Sequence, residues 1–146
     1  MSLKRKKTNR KYDSSAALLQ GVGLRPTQQR LVIAHVLFDG KDKHVTTEQV
    51  CTALREKRQR VSLATVYNTL NAFIKAGLLR QTIIDGGGVY FDTNTRAHHH
   101  IFDEKSRKLS DIDASTVRFS SVPKLPAEKT LARVDVVFRV QDSREQ

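Results

Sequence analysis

The apolar residues of this 146-residue chain change period once, at Gly77. Before it they recur at helical spacing; after it they alternate. Pro26 and Thr27 open a helix whose Leu31, Val32, Ile33, Leu37 and Phe38 cover more than half the cylinder, which makes it central to a core. Asp39-Gly40 stops it. Thr46 with Gln49 three residues later fits a capping box, and Val45 is placed for a hydrophobic staple. The helix begun there runs to about Lys57 and buries Val50, Ala53 and Leu54. Ser62 caps the next helix, in which Leu63, Val66, Leu70, Phe73 and Ile74 form one apolar stripe. Leu79 to Ile84, the turn Asp85-Gly86-Gly87-Gly88, and Val89 to Asp92 then read as a β-hairpin. Three helices and a hairpin make a winged helix-turn-helix, with the hairpin as the wing.

A short helix over Ser14 to Gln20, stopped by Gly21-Val22-Gly23, precedes this unit. The part that follows is short and mostly β. His98 to Asp103 and Lys108 to Ile112 pair through the polar turn Glu104-Lys105-Ser106-Arg107, and Val117 to Ser121 fits a strand or a helix end. Leu131 to Val140 is the clearest strand, because Val134, Val136, Phe138 and Val140 alternate with Arg133, Asp135, Val137 and Arg139. The expected class is α+β. A basic flexible tail covers 1–13, a winged-helix DNA-binding domain 14–93, and a small β-rich α/β dimerisation and metal- or haem-sensing domain 94–146. With no Trp and 6% aromatic residues the core is modest, and dimerisation is expected to supply part of the burial.

Charge locates the partner. The formal net charge is +11, and residues 1–92 carry 16 basic and 7 acidic side chains. That net of +9 marks the N-terminal half as the place where a polyanion would sit. On the capped helix Ala64, Thr65, Asn68, Ala72 and Lys75 lie opposite the apolar stripe, with Tyr67 and Asn71 on the flank. A solvated helix face ordinarily carries Glu/Lys pairs; this one is small, nearly uncharged and hydrogen-bonding. It suits the floor of a major groove, where Asn68 can bond adenine and Tyr67 and Thr65 can meet thymine methyls or phosphate. Arg25 is placed to reach a minor groove or a phosphate, and Arg30, Arg55, Lys57, Arg58 and Arg60 are candidates for backbone contacts.

Three of the five histidines are consecutive. On a strand His98 and His100 share one face and His99 takes the other. His98 and His100, with His44 and Asp92, would make a nitrogen/oxygen site suited to Fe²⁺, Mn²⁺ or Zn²⁺ that ties the reading domain to the second domain. His99 would serve a different site, with Asp103 or Asp111 as partners. A haem or second metal site would draw on His98, His99, His100 and Asp111. His35 is expected to pack. The single cysteine, Cys51, excludes an intramolecular disulfide and a cysteine-based zinc knuckle. The absence of a membrane-length apolar run or a signal-type segment points to a soluble cytoplasmic protein that does not engage membranes.

These motifs together resemble the ferric uptake regulator superfamily. The resemblance rests on Gly23 to Arg30, His44 to Glu48, Ser62 to Leu70, and Phe91-Asp92 followed by His98-His99-His100, in order over residues 14–112. It implies a homodimeric regulator on an A/T-rich operator. Where the family commonly has His-His-Asp-His, this chain has Ala97-His98-His99-His100. Asn68 stands where members often have Arg. The usual zinc-binding cysteine pair falls on Asp103 and Ser106, so a structural zinc on four cysteines is missing. That combination resembles the iron response regulator branch. It implies haem-linked control of iron and haem metabolism genes, with the histidines as axial ligands and haem-biosynthesis proteins as partners. Cys51 is followed by Thr52, so a Cys-Pro haem motif is missing too. The alternatives are an Fe²⁺- or Mn²⁺-corepressed regulator of the same fold and, from another class, a haem or metal carrier or a hydrolytic metalloenzyme. The last needs a general base in a cleft beside an open metal position, and no such constellation is visible; the chain reads as a non-enzyme.

Overall fold

The computed structural model describes residues 10–144, so the basic cluster Lys4, Arg5, Lys6 and Lys7 lies outside the described residues. The chain divides into two compact units, the first ending at Thr95 and the second beginning at Arg96.

The first unit becomes helical earlier than expected. A 3-10 turn over Arg10–Tyr12 runs straight into α1, Asp13–Gly21. Tyr12 corrects the expectation of a flexible tail reaching residue 13: its side chain is buried in the core, and its ring meets that of His35 edge-on at 5.2 Å. One large aromatic anchor outweighs the polar composition around it. Three further helices follow, each started by a hydroxyl residue in extended backbone. Thr27 caps α2, Gln28–Leu37, accepting from the Arg30 amide. Thr46 caps α3, Thr47–Glu56, through a complete capping box with Gln49. Ser62 caps α4, Leu63–Lys75, accepting from the Thr65 amide. Such caps contribute about 1 kcal/mol each. Val32, Ile33, Leu37, Val50, Leu54, Val66, Leu70 and Phe73 form one core. Gly77, at φ +80°, ends α4 in a conformation that side chains disfavour.

On α4 the predicted stripe needs one correction. Val66, Leu70 and Phe73 are buried and Thr69 joins them, but Leu63 is 58% exposed. Leu63 stands at the first helical position, and Val61, just before the cap, packs against that end of the core instead.

The wing forms as expected. β2, Arg80–Ile84, pairs antiparallel with β3, Gly88–Asp92. A third strand was not expected: β1, His44–Val45, pairs with the other edge of β3 and sets His44 opposite Asp92. The order is β1-β3-β2.

In the second unit β4, His98–Asp103, is central. It pairs antiparallel with β5, Leu109–Asp113, on one side and parallel with β6, Val137–Val140, on the other. The strand expected over Leu131 to Val140 is thus reduced to its last four residues. Alternation makes a strand only where a neighbour supplies a hydrogen-bond ladder, and the ladder begins where the His100 amide donates to the Val136 carbonyl. Leu131, Val134, Phe138 and Val140 are exposed. Val117 to Ser121 is neither strand nor helix; it follows a 3-10 turn over Ala114–Thr116. No helix among the described residues is long and apolar enough to cross a membrane.

Candidate metal centre and nucleic-acid interface

The outer face of α4 presents Ala64, Tyr67 and Asn68 to solvent, while Thr65 is half-buried. The Thr65 hydroxyl accepts from Ser62 Oγ at 2.9 Å, so it belongs partly to the helix cap. No acidic residue occurs in α4, and its one basic residue, Lys75, is its last. A groove of about 670 Å³ runs beside this face, lined by Leu63, Ala64 and Tyr67 from α4 and by Gly87, Gly88 and Val89 from the wing. Arg25 is exposed in the loop before α2. The Arg30 guanidinium donates to the Arg25 carbonyl at 3.0 Å, which ties it to that loop. Arg55 is held by Thr52 on its own helix. His35 lies among cations: burial first, then Lys11 and Lys57, lower its pKa, and Asp39 opposes them.

Two groups of metal-ligand side chains are built, one in each unit. In the first, the β1–β3 ladder places His44 Nε2 3.1 Å from Asp92 Oδ2. Asp92 is fully buried, and its other oxygen accepts from the Asn94 amide at 2.8 Å. In the second, alternation on β4 turns His98 and His100 to the same face. Their Nε2 atoms lie 3.0 Å apart, with the rings edge-on. Asp111 on β5, opposite His100, brings Oδ1 to 3.3 Å from His98 Nε2 and 3.6 Å from His100 Nε2. His98 Nδ1 meets the Arg96 carbonyl at 2.6 Å. A carbonyl only accepts, so Nδ1 carries the proton and Nε2 is left with a lone pair. A backbone carbonyl on the far nitrogen is the usual device for orienting a ligating histidine.

His99 faces the other way. Its Nδ1 accepts from the Val136 amide at 3.2 Å, and its ring stands edge-on to Phe119 at 6.2 Å. His98, His99, His100 and Asp111 therefore do not converge on one point, because the strand repeats every two residues. Neither proposed partner of His99 reaches it by that face. Asp111 sides with His98 and His100, and the Asp103 carboxylate accepts from the Lys105 and Ser106 amides. Asp111 as a companion of His98 and His100 had a readable signal: counting outward from the turn at 104–107 sets 103 against 108 and 100 against 111.

The ferric uptake regulator family model matches residues 21–130. Among curated proteins, the peroxide-responsive repressor PerR of Staphylococcus epidermidis is 32% identical over 111 residues, 76% of this chain and 73% of the relative. Among solved structures, the ferric uptake regulator of Pseudomonas aeruginosa with manganese superposes with TM-score 0.66 at 27% identity, covering 89% of this chain and 98% of that one. The Vibrio cholerae ferric uptake regulator gives 0.68 at 22% identity, covering 87% and 98%, a likeness of fold.

Proposed function

The chain belongs to the ferric uptake regulator family, and on that premise we propose that it is a homodimeric transcriptional repressor whose hold on operator DNA follows the supply of a divalent metal ion. The observation that carries this reading is the approach of His98 and His100 Nε2 to 3.0 Å, with the Asp111 carboxylate beside them. Metal–nitrogen bonds of 2.0–2.1 Å put two neighbouring ligands of one ion about 3 Å apart. With Nδ1 protonated, Nε2 is the His98 atom that carries the lone pair a metal needs. His44 and Asp92 are further candidate donors, held opposite each other in the β1–β3 ladder of the first unit. Imidazoles and carboxylates without thiolates suit Fe²⁺, Mn²⁺ or Zn²⁺. When bound, the ion supplies a charge that holds these side chains together; nothing here calls on it for catalysis.

On the DNA side, Tyr67, Asn68 and Ala64 read base edges of an A/T-rich operator, while Arg25 and the basic surface hold phosphate. The exposed apolar residues of β6 and the segment before it supply the dimer interface. The protein works in the cytoplasm, where the operator is.

The His98–His100 run and the loss of the cysteine pair favour the iron response regulator branch. The name of the S. epidermidis relative favours a response to peroxide. Haem as the effector fits the geometry less well. Two axial ligands stand on opposite faces of a porphyrin, whereas these two nitrogens nearly touch. Contact with haem-biosynthesis proteins stands or falls with the branch reading.

Metal-stripped protein titrated with Mn²⁺, anaerobic Fe²⁺ or Zn²⁺, and separately with haemin, tests all of this against duplexes selected from a random pool. The expected result is a rise in duplex affinity of about 5- to 150-fold with one of the ions, lost in His98→Ala and His100→Ala. Duplex binding indifferent to every ion would refute the metal reading, and release by haemin with a Soret shift would restore haem.

A further inference from the structure

Leu63 is where the amphipathic pattern and the structure part. The pattern assigns it to the core; in the fold it is 58% exposed. Tyr67, one turn along the same face, is 52% exposed. A single exposed leucine is ordinary. A leucine and a tyrosine side by side, on a helix face without charge from Leu63 to Ile74, form an apolar patch with a groove beside it. Val89 of the wing, 38% exposed, faces the same groove. The groove's charged lining residue is Glu48, and a carboxylate repels phosphate. An uncharged, partly apolar occupant fits there better than a sugar-phosphate strand. In a unit that carries a net charge of +9, the polyanion that brings such an occupant is duplex DNA, whose one apolar major-groove feature is the thymine 5-methyl group.

We infer that Leu63 is a specificity-determining residue that pairs with Tyr67 to hold a thymine methyl group in the major groove. This rests on the DNA-binding reading above. Leu63 reads by contact rather than by hydrogen bond, so it separates thymine from cytosine and from uracil, bases that lack the methyl. Tyr67 supplies the second wall of the contact.

The test replaces thymines by deoxyuridine one at a time, which removes the methyl and nothing else. The duplex is one that the metal-loaded full chain selects from a random pool. The protein is compared with Leu63→Ala and Leu63→Met. At one or more thymines deoxyuridine should weaken binding by about fourfold, the worth of one buried carbon. At one such position the penalty should vanish in Leu63→Ala and persist in Leu63→Met. Leu63 lies outside the core, so the alanine variant should melt and bind metal like the parent. Equal deoxyuridine penalties in parent and Leu63→Ala overturn the inference while leaving the DNA-binding reading intact. A change of oligomeric state in Leu63→Ala overturns it in favour of a protein contact. Failure to select any duplex removes the DNA-binding reading itself.

Discussion

His98 and His99 are joined by one peptide bond and serve opposite faces of β4. His98 offers Nε2 toward His100 and Asp111, while His99 accepts an amide proton from the start of the β6 ladder. His99→Ala should therefore leave metal affinity near that of the parent, yet speed amide exchange at Val136; His98→Ala should do the reverse. A different histidine contributes to the pH dependence of stability. His35 is held neutral by burial and by Lys11 and Lys57, so its folded pKa lies below 6.5. As pH falls below that value the unfolded chain takes up the proton first. Stability contributed by the neutral ring is present above pH 6.5 and declines toward the folded pKa, where the decline ends. Melting temperatures of the parent and His35→Phe, followed between pH 7 and 5, should diverge, with the parent falling faster. The alternation on β4 was readable in the triplet itself. The part played by Asp111 was readable only by counting across the turn at 104–107, because it depends on the register of a partner strand.

The cysteine-free hairpin between β4 and β5 closes by hydrogen bonds. The Asp103 carboxylate accepts from the Lys105 and Ser106 amides, which hold its pKa below the ordinary carboxylate value. A hairpin closed in this way needs no ion. Treating the protein with a chelator should leave the amides of Lys105 and Ser106 protected, and Asp103→Ala should expose them. In the parent, that protection should be present at neutral pH and fade only in acid, as pH falls through the depressed pKa of Asp103. Elements announced by local signals were legible in advance. Thr27, Thr46 and Ser62 mark three helix starts, and the glycines of 86–88 mark the wing turn, because a cap or a turn is written within four residues. What depends on distant partners was not. β1 is two residues long and exists only because β3 offers an edge. The apolar alternation before Val137 finds no strand beside it. Tyr12 looks like part of a basic tail until the α2 surface that receives it is known.

For the whole molecule, the second unit ends in an arm that its own sheet does not cover. Phe119, Val122, Leu125, Leu131, Val134, Phe138 and Val140 are all exposed. Apolar surface on this scale marks an interface, and a second copy of the chain is the occupant a dimeric regulator supplies. Phe138→Asp should shift the sedimentation of the protein from dimer to monomer, and it should weaken binding to a two-half-site duplex far more than to a single half-site. The division of labour in the first unit reaches further. The helix proposed to read the bases has no charge along its outer face until Lys75, while the cations proposed to draw in phosphate sit on other elements. On that proposal ionic strength and base sequence are sensed by separate side chains. A change in cytosolic salt would raise or lower the occupancy of every operator together, and would leave untouched the order in which they fill.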